Sequence, residues 1–165
     1  MTKPQALIVF TGGYSGEAVI SRKSAAMVMA QIDRSRFEPV LVHVNPKGWF
    51  FETEASGEKT ATTMDHLVSD PRKFIGAFIM VHGTPGEDGK LQTMLDAVGM
   101  RYTTGDADCM ALTFNKGQTN ALLRNENIAV ARSVELAHAE PWDAIEISET
   151  VGMPCFVKPN ETGSS

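Results

Sequence analysis

The chain has 165 residues, 42% of them apolar and 21% charged, which is typical of soluble globular domains. Twenty acidic and fifteen basic residues give a formal net charge of −5, and neither sign forms a long run. This balance excludes a broad basic surface for nucleic acid or an anionic membrane, so small molecules are the better default partners. No apolar stretch approaches the roughly 20 residues of a membrane span, and the sequence predicts a cytoplasmic protein.

The first half of the chain predicts alternating strands and helices. Continuous apolar runs at 6–10, 40–44 and 77–81 are typical of strands that are covered on both faces, as in a parallel sheet. Residues 17–32 predict a helix between the first two strands, and 91–98 predict an amphipathic helix with a spacing of i, i+3, i+4, i+7. The fold class is therefore α/β, with a layered, mostly parallel sheet.

Two shorter elements complete the first half. Lys47-Gly48 followed by three aromatic residues indicates a turn into a peripheral strand or hairpin, and a helical turn is expected around 64–68. The polar stretch 53–73 otherwise carries no strong pattern.

The chain changes character after Tyr102. Helices are predicted at 105–113 and 116–126, with Asn115 as the N-cap of the second, and a further helix at 142–151 that ends at Gly152. Strands are predicted at 132–136 and 155–158. We expect an N-terminal α/β domain at 1–103, connecting helices at 104–126 and the start of a second domain at 127–165.

The two cysteines carry no metal or disulfide signature. Cys109 and Cys155 fit no metal-ligand spacing and form no CxxC pair, so they are expected to be buried or half-buried reduced thiols.

The loop at 11–17 follows the first strand, where α/β sheets place their ligands. Its glycines resemble a dinucleotide fingerprint, but the GxGxxG spacing is not met, and a tight βα turn is the better interpretation of the glycines alone. Glu17 would repel a phosphate at this helix start and attract an ammonium group. The alternative is that Glu17 only complements the positive end of the helix dipole.

Two further loops follow predicted strands. In the loop at 82–89, Asp88 can cap the next helix, and His82 is either a polar loop residue or a ligand group facing the same crevice as Glu17. The tail at 158–165, KPNETGSS, contains the parts of a phosphate cradle without the Walker spacing, although its composition also suits a flexible Gly/Ser end.

Three segments together resemble one known family. GGYSGEAVIS at 12–21, VHGTPGEDGKLQTML at 81–95 and FVKPNETGSS at 156–165 occur in an order and spacing similar to D-alanine–D-alanine ligases of the ATP-grasp superfamily. The HG-x-x-GEDG-x-LQ loop is the most specific of the three. The chain has Val19 where the family usually carries an acid, and Phe114-Asn115 where it usually has Met-Asp.

The resemblance implies a reaction and a fold. ATP would phosphorylate the carboxylate of one D-alanine, and a second D-alanine would attack the acyl phosphate, for peptidoglycan precursor synthesis. The N-terminal domain would be Rossmann-like (pre-ATP-grasp), followed by the beginning of an ATP-grasp domain. Glu17 would hold the ammonium group of the first D-alanine, and His82 would line the same subsite near the substrate carboxylate.

The resemblance also assigns residues to the nucleotide. Lys116 and Lys158 would contact the ATP phosphates, and Gly163 would add backbone N–H groups. Ser164 would hydrogen-bond Glu17 and help to close the site, which makes Glu17 and Ser164 the catalytic pair. The resemblance places the Mg²⁺ ligands later in sequence, none within this chain, and suggests a homodimer. We therefore expect these residues alone to be inactive.

Three alternatives stay open at this point. A D-alanine–D-lactate ligase would share every motif above, because the second-substrate subsite is built elsewhere. A non-catalytic, flavodoxin-like binding or dimerisation module would keep the fold without the reaction. A nicotinamide-dependent oxidoreductase is disfavoured, because the second strand ends at Val44-Asn45-Pro46 without the acid that binds ribose.

Overall fold

The structure, a computed structural model, describes residues 3–53, 56–139 and 141–162. The elements are β1 (Gln5–Gly12), α1 (Ala18–Gln31), β2 (Phe37–Asn45), β3 (Gly48–Glu52), β4 (Lys59–Thr62), α2 (Met64–Ser69), β5 (Ala77–Ile79), α3 (Lys90–Ala97), α4 (Ala107–Phe114), α5 (Lys116–Asn125) and α6 (Ala144–Val151). They fall into two compact units, residues 1–111 and 112–165.

The first unit is built on one five-stranded sheet with the order β4-β3-β2-β1-β5. β1 pairs in parallel with β2 on one side and with β5 on the other, while β3 and β4 add an antiparallel edge next to β2. The predicted α/β class with a mostly parallel sheet is confirmed, and so is the hairpin after Lys47. β4 is the strand that the polar sequence did not predict.

β1 lies between β2 and β5, and its side chains are buried on both faces of the sheet. Ile8, Val9 and Phe10 are fully buried. One face of the sheet forms the main core, where β1 and β2 side chains pack with Leu91 and Leu95 of α3. Two members of the predicted spacing, Leu91 and Leu95, are therefore confirmed as buried, whereas Met94 and Val98 are 44% and 37% exposed.

The second unit has helices where the sequence predicts them but lacks both predicted strands. Residues 132–136 and 155–158 are irregular, and Phe156 and Val157 are 92% and 93% exposed. A strand needs a neighbour to satisfy its backbone N–H and C=O groups. Within the described part of this unit, the β-pairing is one isolated bridge between Asn115 and Glu161, so apolar, β-prone sequence has no sheet to join.

Two local predictions in this unit are confirmed, and one on the cysteines is wrong. The Asn115 side chain accepts a hydrogen bond from the N–H of Gln118 and caps α5. Gly152 ends α6 with a φ of 83°. Cys109, on α4, and Cys155, in the irregular segment after α6, are both exposed, not buried.

Within the described ranges, no helix has both the length and the apolar character that crossing a membrane requires.

His43 is a buried titratable group on β2. It is 9% exposed, stacks on Phe50 with ring centroids 4.8 Å apart, and has Nε2 2.7 Å from Oε2 of Glu52, without a hydrogen bond of good geometry. Burial lowers the pKa of His43, and this outweighs the attraction of the Glu52 carboxylate.

The lowered pKa of His43 predicts a loss of stability in mild acid. Below about pH 6.5, the ordinary pKa of histidine, His43 is protonated in the unfolded chain but stays neutral in the folded chain. The free energy of unfolding therefore falls as pH drops. Urea denaturation between pH 7.5 and 5.5 should show this slope, with a flatter slope in the His43→Gln variant. Equal slopes in the two proteins would contradict the assignment to His43.

Candidate functional site

The site of the first unit is a crevice at the carboxyl ends of β1 and β5. These strands are parallel neighbours, so the loops that leave them lie side by side. The N–H of Tyr14 donates to the carbonyl of Thr84 at 2.8 Å, and Ser15 Oγ donates to the carbonyl of His82 at 3.4 Å. The loops at 11–17 and 82–89, which the sequence predicts as ligand loops, therefore contact each other along one side of the crevice.

Glu17 lies at the start of α1 and lines this crevice. It occupies the N-cap position but makes no side-chain capping bond. Its carboxylate reaches the second loop, since a Cβ placed on Gly83 would be 3.4 Å from Glu17 Oε2 and 2.7 Å from Ser15 Oγ. Gly83 has a φ of +68°, so both its conformation and this crowding require glycine.

The Glu17 carboxylate has no hydrogen bond or ion pair to any described residue, although the side chain is half-buried. A half-buried carboxylate at the positive end of a helix is stabilised by the helix dipole, yet it keeps its oxygens available for a cationic ligand. Glu17 therefore makes no capping bond, and its role as a ligand group stays a prediction.

His82 directly precedes Gly83, the residue that the Glu17 carboxylate approaches, and its ring has a neighbour on each side. Nε2 lies 3.4 Å from Ser24 Oγ of α1, and Nδ1 lies 3.9 Å from Oε1 of Glu87. The same Glu87 carboxylate accepts the N–H of Gly83 at 2.8 Å. Ser24 and Glu87 thus fix the ring at the edge of the crevice.

The remaining acid of the second loop is used structurally. Asp88 accepts hydrogen bonds from Thr84 Oγ1 at 2.5 Å, from Lys90 Nζ at 2.6 Å and from the N–H of Lys90 at 3.3 Å. Burial favours a raised pKa for Asp88, but the hydrogen bonds from Lys90 and Thr84 prevail and lower it. The N-cap position of α3 is Gly89, one residue later than predicted, and Asp88 supports the helix start from outside it.

Two buried residues that the sequence analysis missed hold this site in place. Ser21 is fully buried and its hydroxyl accepts the N–H of Gly12 at 2.8 Å and donates to the carbonyl of Met80 at 2.6 Å. Gln92, also fully buried, donates Nε2 to the carbonyl of Gly86 at 2.7 Å. One hydroxyl therefore joins α1 to the ends of both β1 and β5.

A sequence signal for Ser21 exists. Glu17, Ser21 and Ser24 are spaced i, i+4, i+7 and so share one helix face, and Ala25 and Val28 continue that face further along α1. A polar stripe on a helix that covers a buried sheet indicates contact with strand ends and not with the core. No comparable signal marks Gln92, whose position inside an amphipathic helix resembles that of a core residue.

In the second unit, Lys116 contacts the described part of the tail, residues 158–162. Lys116 Nζ donates to the carbonyl of Thr162 at 2.7 Å and to that of Asn160 at 3.4 Å. Lys158, in the same segment, is exposed, with Nζ 5.7 Å from the centroid of the Phe156 ring. The structure therefore brings Lys116 to the segment that carries Lys158.

Two predicted site residues, Gly163 and Ser164, lie outside the described residues, and their roles stay predictions.

The fold and the strand-end crevice define an α/β domain with a carboxylate and a histidine on neighbouring loops at one edge of the sheet. A family model described as "D-ala D-ala ligase N-terminus" matches residues 6–105. Similar curated proteins include the D-alanine–D-alanine ligases of Flavobacterium psychrophilum and Porphyromonas gingivalis, each 38% identical over 95% and 100% of this chain. The chain belongs to the D-alanine–D-alanine ligase family.

The chain spans about half the length of these relatives, 48% and 51%. Solved structures agree on the fold. D-alanyl-alanine synthetase A from Vibrio cholerae has a TM-score of 0.77 at 23% identity, covering 99% of this chain and 50% of that one. The ATP complex of the Bacillus anthracis D-alanine–D-alanine ligase scores 0.71 at 23% identity, covering 96% and 48%. The VanG D-Ala:D-Ser ligase of Enterococcus faecalis scores 0.75 at 23% identity, covering 98% and 53%.

The position of Ser21 predicts a measurable loss of stability when its hydroxyl is removed. Ser21→Ala leaves the N–H of Gly12 and the carbonyl of Met80 buried without a partner, so the free energy of unfolding should fall by about 1–3 kcal/mol. Urea denaturation measures it. Ser69→Ala, which removes an exposed hydroxyl at the end of α2, is the control and should change little. Equal stability of the two variants would show that Ser21 does not join the strand ends.

Proposed function

We propose that this chain provides the first-substrate site and the beginning of the nucleotide site of an ATP-dependent D-alanine–D-alanine ligase. The reaction joins two D-alanines through an acyl phosphate and supplies peptidoglycan precursors. The observation that carries the proposal is the half-buried Glu17 carboxylate, which has no partner among the described residues and faces the loop that contains His82. The family's relatives carry that activity in their names.

Glu17 would bind the ammonium group of the first D-alanine. A carboxylate within about 4 Å of an ammonium gains roughly 4 kcal/mol at the effective dielectric constant of a protein surface, before the cost of desolvation. The α-carboxylate of the amino acid would then point toward His82, whose ring Ser24 and Glu87 hold. This orientation directs the carboxylate, the group to be phosphorylated, away from Glu17.

Lys116 and Lys158 would contact the phosphates of ATP. A lysine ammonium is a compact charge suited to the phosphate charge that spreads during transfer. Support comes from the contact of Lys116 with the segment that carries Lys158. Gly163 and Ser164 would complete the phosphate loop, Ser164 by a hydrogen bond to Glu17, and these roles rest on the family resemblance alone.

Mg²⁺ usually accompanies ATP in phosphoryl transfer. Among the residues described here, no three His, Cys, Asp or Glu side chains converge to hold a metal ion. We propose that the magnesium ligands lie outside these residues, as the family resemblance implies.

The division of labour along the chain is part of the proposal. Residues 1–103 would form the substrate domain, 104–126 the connecting helices and 127–165 the start of the ATP-grasp domain. The protein would act in the cytoplasm as a homodimer. D-alanine is proposed as the second substrate because the 38% identical relatives are named for it, and D-lactate is the runner-up.

Steady-state kinetics of the complete gene product test the proposal. Glu17→Gln keeps the shape of the side chain but removes its charge, so KM for the first D-alanine should rise about 10- to 100-fold, while KM for ATP stays unchanged. Coupled ADP release measures both constants. Glu58→Gln, on the exposed turn before β4, is the matched control and should behave as wild type.

Two outcomes would contradict the proposal in different ways. Wild-type kinetics for Glu17→Gln would show that Glu17 does not bind the ammonium group of the first D-alanine. Absence of D-alanine-dependent ADP release by the wild-type gene product would favour the non-catalytic module.

A further inference from the structure

The side chain of Asn160 connects three parts of the second unit. Its Oδ1 accepts the N–H of Gly117 at 2.7 Å, in the first turn of α5. Its Nδ2 donates to Glu135 Oε1 at 2.7 Å and to Asn115 Oδ1 at 3.1 Å. Its main-chain carbonyl accepts the N–H of Lys116 at 3.2 Å. One amide side chain therefore fixes the start of α5, the segment 158–162 and Glu135 together.

This arrangement sets the position of the Lys116 ammonium. Nζ donates to the carbonyls of Thr162 and Asn160, so its place depends on how the backbone of 160–162 lies against α5. Asn160 supplies the side-chain bonds that hold that backbone. Lys158 is two residues earlier in the same segment, which limits the distance between its Cα and that of Asn160 to about 7 Å.

Asn115 extends the network to the acid at position 161. It is 8% exposed, its Oδ1 caps α5 through the N–H of Gln118 at 2.9 Å, and its Nδ2 donates to Glu161 Oε1 at 2.8 Å. An aspartate here would have no donor for Glu161 and would repel its carboxylate. The amide of Asn115 therefore matches the acid at position 161.

We propose that Asn160, supported by Asn115, is a positioning residue for nucleotide binding. It holds Lys116 and the segment that carries Lys158 in a fixed position relative to each other. The inference rests on the proposed function, since it takes these two lysines as the phosphate contacts. Asn160 itself touches no phosphate. Its bonds go to the backbone of α5 and to two side chains, so it acts through the lysines.

The proposal predicts that replacing Asn160 raises KM for ATP but not KM for D-alanine. Asn160→Ala removes the bonds to Gly117, Glu135 and Asn115. Lys116 and Lys158 are then no longer held in a fixed position relative to each other. In the complete gene product, KM for ATP should rise by about tenfold or more, while KM for D-alanine stays within about twofold of wild type. Asn125→Ala, at the exposed far end of α5, is the matched control and should leave both constants unchanged.

A charge-matched pair of variants tests the contact with Glu135. Asn160→Asp keeps the acceptor for Gly117 but places a carboxylate against the Glu135 carboxylate, and KM for ATP should rise as in the alanine variant. Adding Glu135→Gln supplies a donor across the same contact and should bring KM for ATP back to within about threefold of wild type. Failure of this rescue would contradict the role of the Asn160–Glu135 bond.

A merely structural role gives a different result. If Asn160→Ala only unfolds a fraction of the protein, kcat per total enzyme falls while both KM values stay at wild type, and the proposal is wrong. An equal rise in both KM values would also overturn it.

Failure of the proposed ligase function would appear in a different measurement, the release of ADP by the wild-type protein. If wild type releases no ADP, the proposed function fails and the nucleotide role of Asn160 fails with it. Amide ¹⁵N–¹H shifts of Lys116 and Gly117 then still report the positioning step, because Asn160→Ala should move them and Asn125→Ala should not.

Discussion

The parallel pairing of β1 with β5 is the constraint on which the substrate site depends. Ile8 pairs with Ala77 and Phe10 with Ile79, so both strands end on the same edge of the sheet. Two loops separated by some 65 residues of sequence then become neighbours. Ser21 secures this edge, because its hydroxyl bonds the chain at the end of each strand. Glu17 and the loop that contains His82 stay neighbours only as long as this edge stays intact.

The acids at this edge differ in what they bind. Glu87 accepts the N–H of Gly83, and Asp88 accepts three hydrogen bonds that lower its pKa against the effect of burial. Both carboxylates stabilise the loop. Glu17 makes no such bond within the described ranges, which leaves its charge for a ligand. The distinction between a structural and a ligand-binding carboxylate therefore rests on hydrogen-bond partners, since all three acids lie in glycine-rich loops.

The sequence predicts most of the first unit because its signals are local and strong. The apolar runs of β1 and β2, and Leu91 and Leu95 of α3, predict burial directly from the local sequence. Glu17 and His82 follow strands whose parallel order is implied by the βαβ pattern. Ser21 and Gln92 were missed because their bonds reach residues 59 and 6 positions away. The polar spacing of α1 marks the position of Ser21 but not its partners, and no local pattern marks Gln92. The strands predicted at 132–136 and 155–158 were wrong for the converse reason, since β-prone sequence forms a strand only beside another strand.

In the second unit, polar contacts take the place that a sheet holds in the first. Asn115 and Asn160 attach the segment 158–162 to α5, and neither contact follows from propensity. Under the proposed function, the first unit would supply a carboxylate for an ammonium group, and the second unit would supply lysines for phosphates.

The central claim is that Glu17 binds the ammonium group of an amino acid, and an NMR titration of this chain tests it most directly. The account predicts that D-alanine shifts the amide signals of residues 12–24 and 82–88 in a saturable manner. N-acetyl-D-alanine, which lacks the ammonium charge, should not do so, and neither should D-alanine added to Glu17→Gln. Equal shifts from both ligands, or shifts that survive in Glu17→Gln, would contradict the account.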